Sequence, residues 1–258
     1  MMCGPAPSFE ALRDAHTAAL TGSLVDGIDQ GPGGAGYVWS RMIPDPTLNF
    51  AYGVCRPDQF AWAGAAALAR ARAPAFLAGD TAELEALRAL FTPAALYPSS
   101  WMVAMTDALP SPAEGSVNVH ATSVPPSEFE TVFANLSEEA AVKTHLRRYY
   151  LPALRSARAQ PGLVPIHIVL DDATGPAACA SLYLHGDRAG LYNVSTRVDR
   201  QRRGLGGKVT RAALQEARAR GATQVFLQCP AGGAIEALYA RCGFRTAYAP
   251  TLICMREP

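Results

Sequence analysis

The sequence predicts an α/β protein built on a mixed sheet, and three observations carry that expectation. Leu191–Val198 reads as a strand that runs into a basic glycine turn, Arg200-Gln201-Arg202-Arg203-Gly204-Leu205-Gly206-Gly207-Lys208, and then into a helix. Segments with strand and helix periodicity alternate through residues 116–258 in the order β-α-α-β-β-β-α-β-α-β. Residues 1–115 read as α-β-β-α-β-α-β, a smaller and degenerate version of the same plan.

Composition bounds the function classes. The chain has 258 residues, of which 49% are apolar and 17% charged, so it can bury real cores and is not a disordered chain. No run approaches the roughly 18 apolar residues of a membrane helix. The start, Met1-Met2-Cys3-Gly4-Pro5, lacks the basic flank and apolar core of a signal peptide, which makes the cytoplasm the expected compartment. Six scattered cysteines (Cys3, Cys55, Cys179, Cys229, Cys242, Cys254) form no Cys-x-x-Cys pair and read as free thiols. The five histidines are equally dispersed, so no metal site is expected. Residues 1–115 carry 6 Lys/Arg against 11 Asp/Glu, and residues 116–258 carry 17 against 11. The second half should therefore face an anion. Its excess is small and concentrated near residues 197–220, which argues against general nucleic-acid binding.

In chain order, residues 8–20 have helical spacing with Ser8 as N-cap. Gly31–Gly36 is a glycine-rich link with no helix after it, so it is not a phosphate loop. Tyr37–Ile43 and Leu48–Val54 read as strands around a Pro44-Asp45-Pro46 turn. A helix over 58–72, a short strand at Ala75–Ala78, a helix from Ala82 to Leu90 capped by Thr81, and a strand at Ser100–Met105 follow. Pro110, Pro112 and Gly115 mark a linker, which divides the chain into 1–115 and 116–258.

Beyond it, Val117–Val124 is extended and Glu128–Leu136 helical. Ser137 caps a helix from Glu138 to about Arg158 that Pro152 should kink or divide. Strands at Val164–Leu170, Ala177–Leu184 and Leu191–Val198 form an antiparallel meander. A helix from Leu205 to about Arg220, a strand at Thr223–Leu227, a helix at 233–241 and a last strand from Phe244 complete the order. The β-α-β step over 191–227 makes two strands parallel and puts the glycine turn at a crevice suited to a ligand.

Gly204 and Gly206 remove side chains where a ligand would meet backbone N–H groups. The helix start adds partial positive charge, and Arg202, Arg203 and Lys208 add full charges. The turn is built for a pyrophosphate or similar anion. It is not a P-loop, because Lys208 precedes Val209 and position 202 is Arg. It is not a dinucleotide fingerprint, because the third glycine would fall at 209 and the preceding strands form a meander.

Gln201-Arg202-Arg203-Gly204-Leu205-Gly206 resembles the Gln/Arg-x-x-Gly-x-Gly/Ala motif of GNAT-type N-acetyltransferases. Tyr192-Asn193-Val194-Ser195-Thr196 is similar to their fourth strand, and Leu238-Tyr239-Ala240-Arg241-Cys242-Gly243-Phe244 to their Leu-Tyr-x-x-x-Gly-Phe segment, with its tyrosine 32 residues after Gly207. The resemblance covers about 116–258. It implies a GNAT acyltransferase fold there, a degenerate GNAT-like or substrate-side domain before it, and acetyl-CoA as co-substrate with no metal. By position it implies that the backbone of Val194, Thr196 and Val198 lies along the cofactor. Gln201, Arg202, Arg203, Gly204, Leu205, Gly206, Gly207 and Lys208 would hold its pyrophosphate, and the Tyr239 hydroxyl would protonate the leaving thiolate. Two positions depart from the family pattern: Gly232 stands where Asn is common and Val198 where proline is common.

Acyl transfer to an amine needs a neutral amine, a polarised carbonyl and a proton for sulfur. Direct attack suffices. Backbone N–H near Thr196 could stabilise the oxyanion. Asn193 or Ser195 could position a water as part of the base, while His120, His145 and His167 read as structural. Cys229 as a nucleophile would require a partner base that the sequence does not offer. The first half carries no phosphate motif and reads as substrate-side or dimerising, with Trp39, Tyr52, Trp62 and Trp101 as candidate cleft aromatics. The expected function is an N-acetyltransferase acting on a small-molecule or peptide amine, as a monomer or homodimer, with neither nucleic acid nor membrane as partner. The rival reading is a non-catalytic CoA-binding or interaction protein that keeps the fold.

Overall fold

The long apolar runs of the second half become the longest strands. In a computed structural model, which describes residues 7–108 and 117–255, β7 (Leu163–Asp172), β8 (Gly175–His185) and β9 (Arg188–Thr196) form the antiparallel meander that the alternation predicts. Helix α7 (Leu205–Ala219) crosses back so that β10 (Gln224–Pro230) lies parallel to β9. Before the meander come β6 (Val117–His120), α4 (Ser127–Phe133), α5 (Ala140–His145) and α6 (Leu151–Arg155). After it come α8 (Ala234–Arg241), β11 (Arg245–Tyr248) and β12 (Thr251–Cys254). The linker at Pro110, Pro112 and Gly115, the boundary between 115 and 116, and Cys3 lie outside the described residues.

The first half repeats this plan with shorter strands. Helix α1 (Phe9–Leu20) precedes β1 (Gly27–Gln30), β2 (Gly36–Trp39) and β3 (Phe50–Tyr52), again an antiparallel meander. Helix α2 (Pro57–Leu68) then returns β4 (Ala75–Ala78) parallel to β3. Helix α3 (Thr81–Leu90) and β5 (Ala95–Met105) follow.

The last strands are exchanged between the halves. β5 pairs along one edge with β10, from Gln224↔Met105 to Pro230↔Ser99. Its other edge takes β12 at residues 95–98 and β11 at 101–103. β12 in turn pairs with β4, the strand of the first half that β5 would otherwise cover. One sheet results, in the order β1-β2-β3-β4-β12-β5-β10-β9-β8-β7-β6, with β11 on β5.

Several expectations need correction. The last strand is two strands, divided at Ala249-Pro250, where the Pro250 carbonyl accepts from Ser99 N at 2.9 Å. The N-cap of α3 is Asp80, whose carboxylate accepts from Glu83 N at 2.8 Å, and Thr81 is the first helical residue. The long helix after Ser137 is three pieces, with a π-helical stretch over Leu146–Tyr150 between α5 and α6. Pro152 cannot donate to the ladder, and the wider register there accommodates it. β1 adds a strand to the first half, and β5 begins five residues before Ser100.

The core follows the exchange. On one face of the C-terminal sheet, Val209 and Leu214 of α7 pack against Ile166, Leu182 and Leu191. On the other face, one apolar cluster runs through both halves, from Leu12, Phe50 and Leu77 to Trp101, Phe129, Val169 and Leu252. Ile253 of β12, fully buried, sits in the first half's own cluster with Tyr37, Phe76 and Leu87. Among the described residues, no helix is long and apolar enough to cross a membrane.

Because β5 and β12 each complete a sheet begun by the other half, the protein should unfold in one calorimetric transition. Ile253→Ala should lower its stability by about 2–5 kcal/mol and shift that whole transition. Two transitions, only one of which moves, would show that the halves are energetically independent.

Candidate active site

The site begins where β9 and β10 part. They are paired only over Gln224↔Arg188, Val225↔Ala189 and Phe226↔Gly190. Past Gly190, β9 carries a bulge: Cys179 faces Ser195 and Ser181 faces Tyr192, leaving Asn193 and Val194 together opposite Ala180. Asn193 takes the left-handed region at φ 54, which Asn tolerates better than a bulkier residue. The bulge bends β9 away while β10 follows β5, and a cleft opens between them. Arg197 N–H donates to Ala177 O at 3.0 Å, so the alternation of the strand turns Thr196 and Val194 toward the open edge.

Below this cleft lies the glycine turn. Gly204, at φ 75, caps α7, where an L side chain would add about 1–2 kcal/mol of strain. The first amide of α7 to find an intrahelical acceptor is Lys208 N, bonded to Gly204 O at 3.0 Å, so the N–H groups of Leu205, Gly206 and Gly207 lack one. Arg197 and Arg200 are occupied by Asp199 and Asp172 at 2.9–3.1 Å. Arg202, Arg203 and Lys208 are exposed and make no salt bridge among the described residues. The turn thus combines three open cations with three open amides, a fit for a pyrophosphate. The Gln201 side chain points elsewhere, donating to Leu136 O at 2.7 Å and Thr196 O at 3.3 Å. Val198 N–H is also committed, to Asn135 O at 2.9 Å.

The corresponding turn of the first half, between β3 and α2, is closed by its own side chain. Gln59, buried, accepts from Cys55 N at 3.0 Å and Arg56 N at 3.1 Å and donates to Pro32 O at 3.2 Å. Those amides are not open to an anion.

Helix α8 closes the second wall of the cleft. Leu238 faces Gly206, and Tyr239, 8% exposed, packs edge-on to Phe244. Burial, and after it the nearby thiols of Cys229 and Cys242, push the Tyr239 hydroxyl far above the usual phenol range, so it keeps its proton. Burial likewise pushes the Cys229 thiol up to about 11, with Glu236 adding to it. Glu236 ties down the turn before α8: it accepts from Gly232 N at 2.6 Å and from Ser100 and Thr246 hydroxyls at 2.8 Å. These contacts hold its carboxyl below the usual range.

Above the cleft, a cavity of about 810 Å³ lies between the halves, reached past Asn193, Gln228 and Cys229. Of the four candidate aromatics only Trp101 lines it. Trp39 caps Asp29 and Gly27, Trp62 covers Gly31, and Tyr52 stacks under Arg13. Ser195 is buried beside Cys179, away from the cavity. Asn193 does line it, and its amide donates to Ser181 Oγ at 3.2 Å, which meets His167 Nδ1 at 3.0 Å. Burial pushes His167 down to about 4. His120 stays on β6 at the sheet's far edge.

Two cavity residues carry no motif. His16, on the apolar face of α1, meets the Tyr192 hydroxyl at 2.9 Å and lies over Trp101, and burial pushes it down to about 3. Asp45 Oδ2 accepts from the Tyr150 hydroxyl at 2.6 Å and meets His145 Nε2 at 3.1 Å. The only sequence signals were a histidine at a core position of a helix and an acid held between two prolines.

Residues 131–244 match the acetyltransferase (GNAT) family. None of the curated proteins matches the chain. Among solved structures, a GCN5-related N-acetyltransferase from Kribbella flavida is similar over 98% of both chains, at 17% identity and a TM-score of 0.64. A tandem GNAT protein from the clavulanic acid biosynthesis pathway is similar over 100% of this chain and 90% of its own, at 16% identity and a TM-score of 0.62. A GCN5-related N-acetyltransferase from Sphaerobacter thermophilus is similar over 98% and 87%, at 16% identity and a TM-score of 0.59. At these identities the likeness is one of fold.

His16 and His167 are neutral in the folded chain and ordinary histidines when it unfolds. Their folded values are depressed, so their contribution is complete above about pH 6.5 and is lost as the pH falls toward about 4 for His167 and about 3 for His16. Chemical unfolding should show about 3 kcal/mol lost through His167 and about 5 kcal/mol through His16 across those windows. A His16→Asn/His167→Asn variant should lose stability less steeply with acid, and an unchanged slope would show that neither histidine is buried neutral.

Proposed function

We propose that this chain, whose residues 131–244 form a GNAT acetyltransferase domain and whose whole length carries the fold of tandem GNAT proteins, is an acetyl-CoA-dependent N-acetyltransferase. It would have one donor site, in the half from 116 to 258, and an acceptor side walled by the half from 1 to 115. The observation that carries the proposal is the divergence of β9 from β10 directly above a left-handed Gly204 turn with three open cations.

In this reading, acetyl-CoA supplies the activated acetyl group, and the protein supplies position and charge. Arg202, Arg203, Lys208 and the amides of Leu205, Gly206 and Gly207 hold the pyrophosphate. The exposed backbone edge at Val194 and Thr196 receives the pantetheine arm as an added strand would be received. Its N–H groups beside the bulge face the developing oxyanion. Tyr239 keeps its proton and donates a hydrogen bond to the departing sulfur. Asn193, fixed through Ser181, positions the amine or a water that takes its proton. Cys229 stays a thiol near neutral pH and bonds to Ser100 O and Met102 Sδ rather than to a base, which favours direct attack by the amine over a covalent enzyme intermediate.

Release of CoA measured over a panel of primary amines tests the activity, and failure to bind acetyl-CoA at millimolar concentration ends the reading. Tyr239→Phe should lower kcat about tenfold to a hundredfold and leave acetyl-CoA affinity unchanged. An unchanged kcat removes the tyrosine from the mechanism. Tight CoA binding without turnover of any amine would favour a non-catalytic CoA-binding protein.

A further inference from the structure

Asp45 stands out among the groups that line the cavity between the halves. The walls are aliphatic and aromatic, drawn from both halves: Leu24, Phe50, Leu77, Leu96, Trp101 and Leu252. Leu96 and Tyr97 are left 38% and 43% exposed at its margin, an apolar surface with nothing over it among the described residues. The remaining lining polar groups are neutral near pH 7. His16 is depressed to about 3, Cys229 is raised to about 11, and Tyr150 and Tyr192 are raised by burial. Asp45 is the one acidic residue of the lining, which holds neither Lys nor Arg, and its carboxylate meets His145 Nε2 behind it.

That carboxylate is set in place. The Asn49 amide donates to Asp45 O at 2.9 Å and fixes the turn between Pro44 and Pro46. Tyr150 Oη donates to Oδ2 at 2.6 Å, and His145 Nε2 bonds the same oxygen at 3.1 Å and lies 2.9 Å from Oδ1. Two carboxylate oxygens offer about four acceptor sites, so capacity remains for a further donor. The side chain is 26% exposed, and Asp45 is among the residues that line the cavity.

We infer that the acceptor is a primary amine on an aliphatic or aryl body without an anionic group, bound in the cavity between the halves, with Asp45 selecting against carboxylate-bearing amines. This rests on the acetyltransferase reading above and adds the acceptor's chemistry to it. An amine of this class would bury its body against Trp101 and Leu252. A cavity of this size is within the usual range for small ligands. A carboxylate on the same body would enter a low-dielectric space beside the Asp45 carboxylate, whose His145 partner lies outside the lining, and would find neither Lys nor Arg there. Discrimination would thus come from repulsion as much as from fit.

Matched pairs that differ by a carboxylate test this: hexylamine against 6-aminohexanoate, and phenethylamine against phenylalanine. Binding to the full chain is measured by calorimetry in the presence of CoA, and acetylation by CoA release with acetyl-CoA. The amines without carboxylate should bind and react at least about tenfold better than their partners. Asp45→Asn, with its fold checked by thermal unfolding, should weaken the two simple amines and strengthen the two anionic ones, so that the ratio collapses. Leu96→Asp, at an exposed wall position, should reverse any advantage of the apolar body. Equal binding within each pair, or no binding of either simple amine to a chain that does bind CoA, would overturn the inference. Binding of the simple amines without acetylation would leave this inference standing and overturn the acetyltransferase reading instead.

Discussion

The structure depends on β5 being paired along both edges by strands from the other half. Ser99–Met105 lies against β10 on one side, and β12 and β11 occupy the other. An eleven-residue strand with one open edge would invite pairing with another chain. Here each half closes the other's sheet, and the two cannot separate without exposing β4 and β10 together. The same arrangement sets the cavity between the halves. Leu96, Tyr97 and Trp101 on β5 and Leu252 on β12 line it because those two strands cross from one half to the other.

β5 also governs the cleft between β9 and β10. β10 needs a partner for its backbone groups, and over its full length it has one in β5. β5 therefore keeps β10 in the sheet after it leaves β9, while the other edge of β10 is left open past Phe226. β9 carries the cost, through the Asn193 bulge at φ 54 and through a backbone edge left open past Gly190. Strain of this kind, on the order of 1 kcal/mol, is maintained when the surroundings determine it. Asn193 is held by Ser181 and His167 beneath it, and by α7 and α4 packed on the two faces of the sheet.

The C-terminal half was legible where its chemistry is local. The meander, the glycine turn and the parallel return all follow from short-range pattern, and the motif residues from Gly204 to Lys208 fall where a turn followed by a helix must put them. What the sequence concealed is long-range. Pro98 sits inside β5, and a proline argues locally against a strand, yet it lies opposite Thr251 across 153 positions of chain. β1 holds a single large apolar residue, Ile28, which is exposed, so no apolar alternation announced it. His16, Asp45 and Tyr192 come from three distant segments, and no spacing rule joins them. Tyr239 could be placed near the cleft from its motif, but its burial between two thiols could not.

Two glutamines differ in what they do beside the helix that follows the third strand of each meander. Gln59 lies one turn inside α2, and its amide folds back onto the N–H groups of Cys55 and Arg56. The two amides just before the helix are thereby satisfied from within, and an anion arriving at them would have to displace a buried side chain. Gln201 precedes its helix and reaches the other way, to Leu136 O and Thr196 O, joining the end of β9 to the segment after α4. It leaves the amides at the start of α7 open, with Gly204 providing the backbone turn that no other residue takes without strain. The two halves share a strand–turn–helix plan; in the first a side chain closes the amides before the helix, and in the second the amides that begin the helix keep no intrahelical acceptor.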